Sequence, residues 1–89
     1  MFLKGKTALI TGSTSGIGLG YARALAAEGA VVMINGFGDK QEIENNVAEL
    51  ANISGAEAVY CGADMTKPDE IRAMVSECTE KLGGPDILI

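Results

Sequence analysis

The chain has 89 residues, 47% of them hydrophobic and 21% charged, enough for one small domain and too apolar for a disordered segment. Seven basic against twelve acidic residues give a net charge of −5 without any Lys/Arg run, which argues against a phosphate-tracking nucleic-acid surface and against a polybasic membrane patch. There is no His, and Cys61 and Cys78 alone cannot build a zinc centre, so no metal site is expected.

In chain order, Thr7-Ala8-Leu9-Ile10-Thr11 is a short apolar run between glycines and reads as a buried strand. Over residues 16–28, Ile17, Tyr21 and Leu25 fall at four-residue steps with Ala22 and Ala26 alongside. This predicts a helix whose buried face includes Ile17 and Tyr21, stopped by Gly29. Residues 30–34 form a second continuous apolar strand. Asp39 and Glu42 make an Asp-x-x-Glu helix start, and Ile43, Val47, Leu50 and Ala51 line a helix that ends near Gly55. A third strand follows over residues 57–61.

Thr66-Lys67-Pro68-Asp69 is a helix start with Thr66 as the expected cap, Pro68 in the first turn, and Asp69 and Glu70 at the positive end of the dipole. Ile71, Met74, Val75, Cys78 and Leu82 continue at helical spacing, and the Met and Cys side chains there read as core packing. Gly83-Gly84-Pro85 closes the helix, and residues 86–89 begin a fourth strand that carries no terminator. The expectation is a chain truncated in or after that strand, since a finished module would not leave an apolar parallel edge open. No stretch reaches the roughly 18 apolar residues of a spanning helix, and the opening residues lack a signal-peptide core. With two unpaired thiols, a cytoplasmic protein is expected.

Strands joined by helices of this length imply a parallel sheet with helices on both faces. If strands one to three step outward in one direction and the fourth returns to the other side of strand one, right-handed crossovers place the helices on both faces of a sheet of order 3-2-1-4, with the switch point between strands one and four, where ligands of open α/β sheets bind. The loop at that point reads Thr11-Gly12-Ser13-Thr14-Ser15-Gly16-Ile17-Gly18. A strand enters it and a helix leaves it, as a phosphate-binding loop requires. Gly12 permits a tight turn, Gly16 lets main chain approach a pyrophosphate, and Gly18 allows close packing of the new helix. The unpaired amides of the helix start attract phosphate, and Ser13, Thr14 and Ser15 add hydroxyls. An ATP-type loop fits poorly, because no Lys-Ser/Thr pair follows the glycines.

The spacing Thr-Gly-x-x-x-Gly-x-Gly resembles the first loop of the short-chain dehydrogenase/reductase family, and the resemblance covers the whole chain. It implies a Rossmann-type three-layer α/β fold in which residues 1–89 are the N-terminal dinucleotide-binding part. Ala63, Asp64 and Met65, just after the third strand, match the segment whose acid touches the adenine ring in that family. Pro85-Asp86-Ile87-Leu88-Ile89 looks like the strand that normally runs into Asn-Asn-Ala-Gly.

An acid about 20 residues past the glycines would mark an NAD site. Asn35 stands there instead, in Asn35-Gly36-Phe37-Gly38-Asp39, with no Arg to hold a 2′-phosphate and with Lys40 close by. NAD is the expected cofactor, and NADP stays open. The segments 35–39, 12–20 and 60–64 are similar to an NAD-using branch of the family that oxidises small hydroxy acids. That likeness places Phe37 near the adenosine and Thr14, Ile17, Asp64 and Met65 along the cofactor cleft.

The family's chemistry uses a Tyr-x-x-x-Lys pair with a Ser and an Asn. Here Tyr21 is followed four positions on by Leu25 and Tyr60 by Asp64, so no catalytic residue is nominated. The resemblance implies an oxidoreductase with a small hydroxy or oxo acid as substrate, a homotetramer, and neither nucleic acid nor membrane as partner. The alternatives are a stand-alone nucleotide-binding module without turnover and a piece of an NADP-dependent oxoacyl reductase.

Overall fold

Apolar runs become strands and the periodic segments between them become helices. The order is β1 (Thr7–Ile10), α1 (Gly16–Ala27), β2 (Val31–Asn35), α2 (Lys40–Ser54), β3 (Ala58–Cys61), α3 (Pro68–Leu82) and β4 (Ile87–Leu88). The structure, a computed structural model, describes residues 2–89. All strand pairs are parallel and the sheet order is β3-β2-β1-β4, the expected order. The element edges differ from the sequence reading by a residue or two. Thr11 and Ala30 fall outside the strands, Asn35 extends β2, and β4 is only two residues long.

Strand alternation divides the core. Ala8, Ile10, Val32 and Ile34 face one side and meet Leu19, Ala22 and Ala26 of α1 and Leu50 of α2. Leu9 and Met33 face the other side, where Met74 and Cys78 of α3 cover them together with Ala63. Helices therefore lie on both faces, completing three layers.

The buried face of α1 is not the one its four-residue steps suggest. Ile17 is 80% and Tyr21 51% exposed, whereas Leu19, Ala22 and Ala26 are buried and Leu25 lies partly buried beside them. Ile17 sits two residues, about 200° of rotation, from Leu19 on the helix. The small alanines let the helix axis come close to the sheet, and that closeness outweighs the larger side chains in deciding which face is buried. In α3, Met74 and Cys78 are buried as expected, while Val75 faces solvent.

Helix ends follow local chemistry. The Asp39 carboxylate accepts from the Glu42 amide at 3.1 Å, and Gly55, at φ 68°, closes α2 in the left-handed conformation. Thr66 does not cap α3. Its hydroxyl donates to Asp64 Oδ1 at 2.7 Å, and Lys67 occupies the cap position with no side-chain bond. Thr66 stands one position before the cap, and its hydroxyl serves the Asp64 turn instead of accepting from a helix amide. β4 is tied to β1 at both ends. The Thr7 amide donates to Asp86 Oδ2 at 2.9 Å, and the Thr11 amide donates to the Ile89 carbonyl at 2.8 Å.

Candidate functional site

Parallel strands bring their carboxyl ends to one edge, and there the loops after β1, β2 and β3 converge. Between them lies a cleft of about 320 Å3 lined by Gly12, Thr14, Ser15, Asn35, Gly36, Phe37, Ala63, Asp64, Met65 and Thr66. Most of the residues singled out from the sequence thus come together. Gly16, Ile17 and Gly18 lie just past them at the start of α1, and Ser13 is buried beneath. A larger groove of about 790 Å3 runs elsewhere, along Ile43, Val47, Val59 and Tyr60 between α2 and β3, and includes none of the glycine loop.

The turn depends on two glycines with positive φ, Gly12 at 57° and Gly16 at 61°, and a Cβ on either would meet open space. Their need is conformational, and the open space leaves the main chain accessible. Gly18 is different. A Cβ there would collide with the Gly12 carbonyl and sit 2.9 Å from the Cα of Ser13. The close approach it permits is therefore between the helix start and the loop's own backbone.

Three of the loop amides are already engaged, that of Thr11 with the Ile89 carbonyl and the next two with Asn35. Gly12 N–H donates to Asn35 Oδ1 at 3.3 Å and Ser13 N–H to the Asn35 carbonyl at 2.6 Å. From Thr14 to Gly18, no amide donates to any group among the described residues, and Ser15 caps α1 without a side-chain bond. Five consecutive N–H groups, at the positive end of a twelve-residue helix, are left for an outside acceptor. Such an arrangement suits a phosphate.

Ser13 and Asn35 serve the scaffold. Ser13 is fully buried, and its hydroxyl donates to the Ile10 carbonyl at 2.6 Å while accepting from the Asn35 amide at 2.9 Å. Asn35 is 1% exposed, and its Nδ2 donates to the carbonyls of Cys61 at 3.1 Å and Ala63 at 2.9 Å. One amide side chain thus pins the loops after β1 and β3 to the end of β2. Asn35 borders the cleft, but its side-chain donors and acceptor are committed to the protein.

At the opposite wall, Asp64 is held by a turn of its own. Its Oδ1 accepts from the Thr66 hydroxyl and, at 2.9 Å, from the Thr66 amide, and these bonds keep its carboxyl below the usual carboxylate range. Its amide donates to Glu70 Oε1 at 3.0 Å, fixing the loop to α3. Oδ2 accepts from no group among the described residues, leaving an ionised acceptor at the cleft wall. Phe37, 70% exposed, and Met65, 40% exposed, add apolar surface of the kind an adenine ring covers. Gly36 and Thr66 also line the cleft and were not among the sequence candidates. The signal for Gly36 lay in Asn-Gly-Phe-Gly, whereas Thr66 had been assigned to helix capping.

Comparison with known proteins agrees with this geometry. Residues 6–89 match the family model described as short chain dehydrogenase. The chain is 51% identical over 87 residues to a D-beta-hydroxybutyrate dehydrogenase of Cupriavidus necator, covering 98% of this chain and 33% of that protein. It is 50% identical over 84 residues to a protein of the same name from Rhizobium meliloti, covering 94% of this chain and again 33% of the relative. The chain therefore spans about a third of the length of these curated relatives. Among solved structures, a short chain dehydrogenase of Burkholderia cenocepacia in complex with NADP superposes with a TM-score of 0.91 at 38% identity, over 99% of this chain and 36% of that one. The L-sorbose reductase of Gluconobacter frateurii, complexed with NADPH and L-sorbose, gives 0.86 at 32% identity, over 97% and 32%. With its glycine loop, its 3-2-1-4 sheet and a family match over nearly its whole length, the chain belongs to the short-chain dehydrogenase family.

Proposed function

We propose that this chain forms the NAD-binding portion of a short-chain oxidoreductase that converts 3-hydroxybutyrate to acetoacetate. The run of unpaired amides from Thr14 to Gly18 beside the cleft carries the reading, because it offers a pyrophosphate donors that no group among the described residues uses. Thr14, Ser15, Gly16, Ile17 and Gly18 would take the phosphates through main chain and hydroxyls, on a turn that Gly12 makes possible. Thr14, Phe37, Ala63, Asp64 and Met65 would surround the adenosine, with Asp64 Oδ2 accepting from the adenine amino group. Ser13 and Asn35 would keep the loops in place from behind.

NAD is favoured over NADP by the charge of the cleft. Its lining residues include the ionised Asp64 and no Lys or Arg, and Lys40 lines the other groove. A 2′-phosphate would meet no cation among the lining residues, and Lys67, whose charge acts on Asp64, lies outside the lining. The NADP and NADPH bound in two related structures give the NADP reading its support. The substrate is taken from the hydroxybutyrate dehydrogenase relatives. Bound NAD supplies the hydride acceptor for the carbinol carbon, and the hydroxyl proton leaves to a base. Neither tyrosine here fits that base. Tyr21 does not line the cleft, and the Tyr60 hydroxyl donates to the Gly36 carbonyl. The Tyr-x-x-x-Lys pair of the family is assigned to residues beyond these 89, and without it this chain alone would be inactive. No helix among the described residues is long and apolar enough to cross a membrane. The free thiols of Cys61 and Cys78 suit the cytoplasm, and a homotetramer is carried over from the family.

The test is oxidation of D-3-hydroxybutyrate by the full-length natural protein, with NAD or NADP as acceptor. Turnover with NAD at least tenfold more efficient than with NADP is expected. Absence of turnover together with absence of NAD binding would overturn the reading, and a preference for NADP would overturn its cofactor assignment.

A further inference from the structure

The segment joining β2 to α2, residues 36–39, borders the cleft and has no regular structure. Gly36 and Gly38 flank Phe37, a composition that leaves a free segment many conformations. Two side chains from two directions nevertheless hold it, and a third braces one of those two. The Tyr60 hydroxyl, from β3, donates to the Gly36 carbonyl. The Thr14 hydroxyl, from the glycine loop, donates to the Phe37 carbonyl at 2.7 Å. Asn46, from α2, donates through Nδ2 to the Thr14 carbonyl at 3.3 Å, tying that clamp back to the helix the segment enters. Gly36 makes the approach possible. Its φ is 144°, and a Cβ there would lie 2.8 Å from Thr14 Oγ1.

Thr14 lines the cleft, whereas Tyr60 and Asn46 do not. Tyr60 lies on the side of the groove between α2 and β3, and Asn46 lies over the glycine loop from α2. Both reach the cleft only through carbonyls of its walls. We propose that Tyr60 and Asn46 are positioning residues for the adenosine half of the dinucleotide. Acting through Gly36 and Thr14, they set the 36–39 segment in its binding geometry before ligand arrives. A site ordered in advance does not lose that freedom on binding, so the two side chains raise affinity without touching the ligand.

This inference rests on the cleft being a dinucleotide site, and the experiment separates the two. The dissociation constants of the full-length natural protein for NAD and for AMP are measured in the parent, in Tyr60→Phe and in Asn46→Ala, with binding stoichiometry and thermal midpoint. Tyr60→Phe removes one hydroxyl and keeps the ring. Each variant should weaken NAD and AMP by the same factor, about fivefold, which corresponds to one hydrogen bond of about 1 kcal/mol. Stoichiometry should stay at the parent value, which a loss of folded protein would lower. Asn46→Gln, which keeps the donor, should recover part of the affinity. Parent-like constants for both ligands in Tyr60→Phe and Asn46→Ala would refute the positioning role while leaving the cofactor site standing. A parent that binds neither NAD nor AMP would refute both readings.

Discussion

Replacing Asn35 by alanine tests whether this side chain is scaffold or ligand contact. The amide is almost wholly buried and makes three bonds, from Gly12 N–H and to the carbonyls of Cys61 and Ala63. Deleting it strands a donor and two acceptors, and each buried group left unpaired costs about 1–3 kcal/mol. The groups lie at the floor of an open cleft, so water recovers part of the loss, and the net destabilisation of Asn35→Ala should be about 2–4 kcal/mol. Asn35→Asp is the sharper variant. It keeps the acceptor for Gly12 but turns a carboxylate oxygen toward two carbonyls at 3.1 and 2.9 Å. An acid at this place in a dinucleotide fold ordinarily favours NAD by bonding the ribose hydroxyls. Here it should lower stability by at least as much as alanine and leave NAD binding no tighter. Urea unfolding of the full-length natural protein and its variants measures the first effect, and calorimetric titration with NAD the second. A loss below about 0.5 kcal/mol in Asn35→Ala, within the range of an ordinary surface change, would show that the three bonds do not hold the loops. Tighter NAD binding in Asn35→Asp would show that the side chain faces the ribose.

Three further outcomes follow from the same geometry. Gly18→Ala drives a methyl into the Gly12 carbonyl and the Ser13 backbone, and should cost about 1–3 kcal/mol of stability by overpacking together with most of the NAD affinity; unchanged NAD affinity in a folded variant would contradict this. Asp64 has its pKa lowered from 3.8 chiefly by the Thr66 hydroxyl and then by the Thr66 amide, so its contribution to stability is fully present above that ordinary value and is lost as pH falls through the lower folded value. The gap in thermal midpoint between parent and Asp64→Asn should stay constant from neutral pH to about pH 4 and close only in stronger acid. The Cys78 thiol is buried, and burial, then Asp86 and Glu77, push its pKa up, whereas Cys61 is half-buried. A thiol reagent at neutral pH should therefore modify Cys61 first and reach Cys78 only on unfolding, as mass spectrometry of digested protein would show.

Much of this architecture was legible because it rests on period and punctuation. Strand runs bounded by glycine and the Asp39 start and Gly55 stop of α2 fix the alternation of strand and helix, while the order β3-β2-β1-β4 needed the return of the fourth strand beside the first as a further premise. The choice of buried face on α1 was not legible from side-chain size. Ile17 and Tyr21 outweigh Ala22 and Ala26 in apolar surface, yet helix-to-sheet distance, a tertiary quantity, favours the alanines. Thr66 shows a different obstacle. The helix starts one residue later than a Thr66 cap requires, and the hydroxyl donates to Asp64 instead of accepting from a helix amide. In the cleft, the glycines and Asp64 stood out through spacing. The inward turn of Asn35 and the reach of Tyr60 and Asn46 depend on contacts between residues more than twenty positions apart, which no window along the chain contains.

The central claim is that the unpaired amides from Thr14 to Gly18 receive the phosphates of a dinucleotide. The most direct measurement is an NMR titration of the isotopically labelled full-length natural protein with NAD, following backbone amide shifts. The account requires the largest saturable shifts at residues 14–18, with Asp64 and Phe37 moving in step at the same midpoint. Saturable binding that leaves those five amides unmoved, or that centres on the groove of Ile43, Val47 and Tyr60, would contradict it.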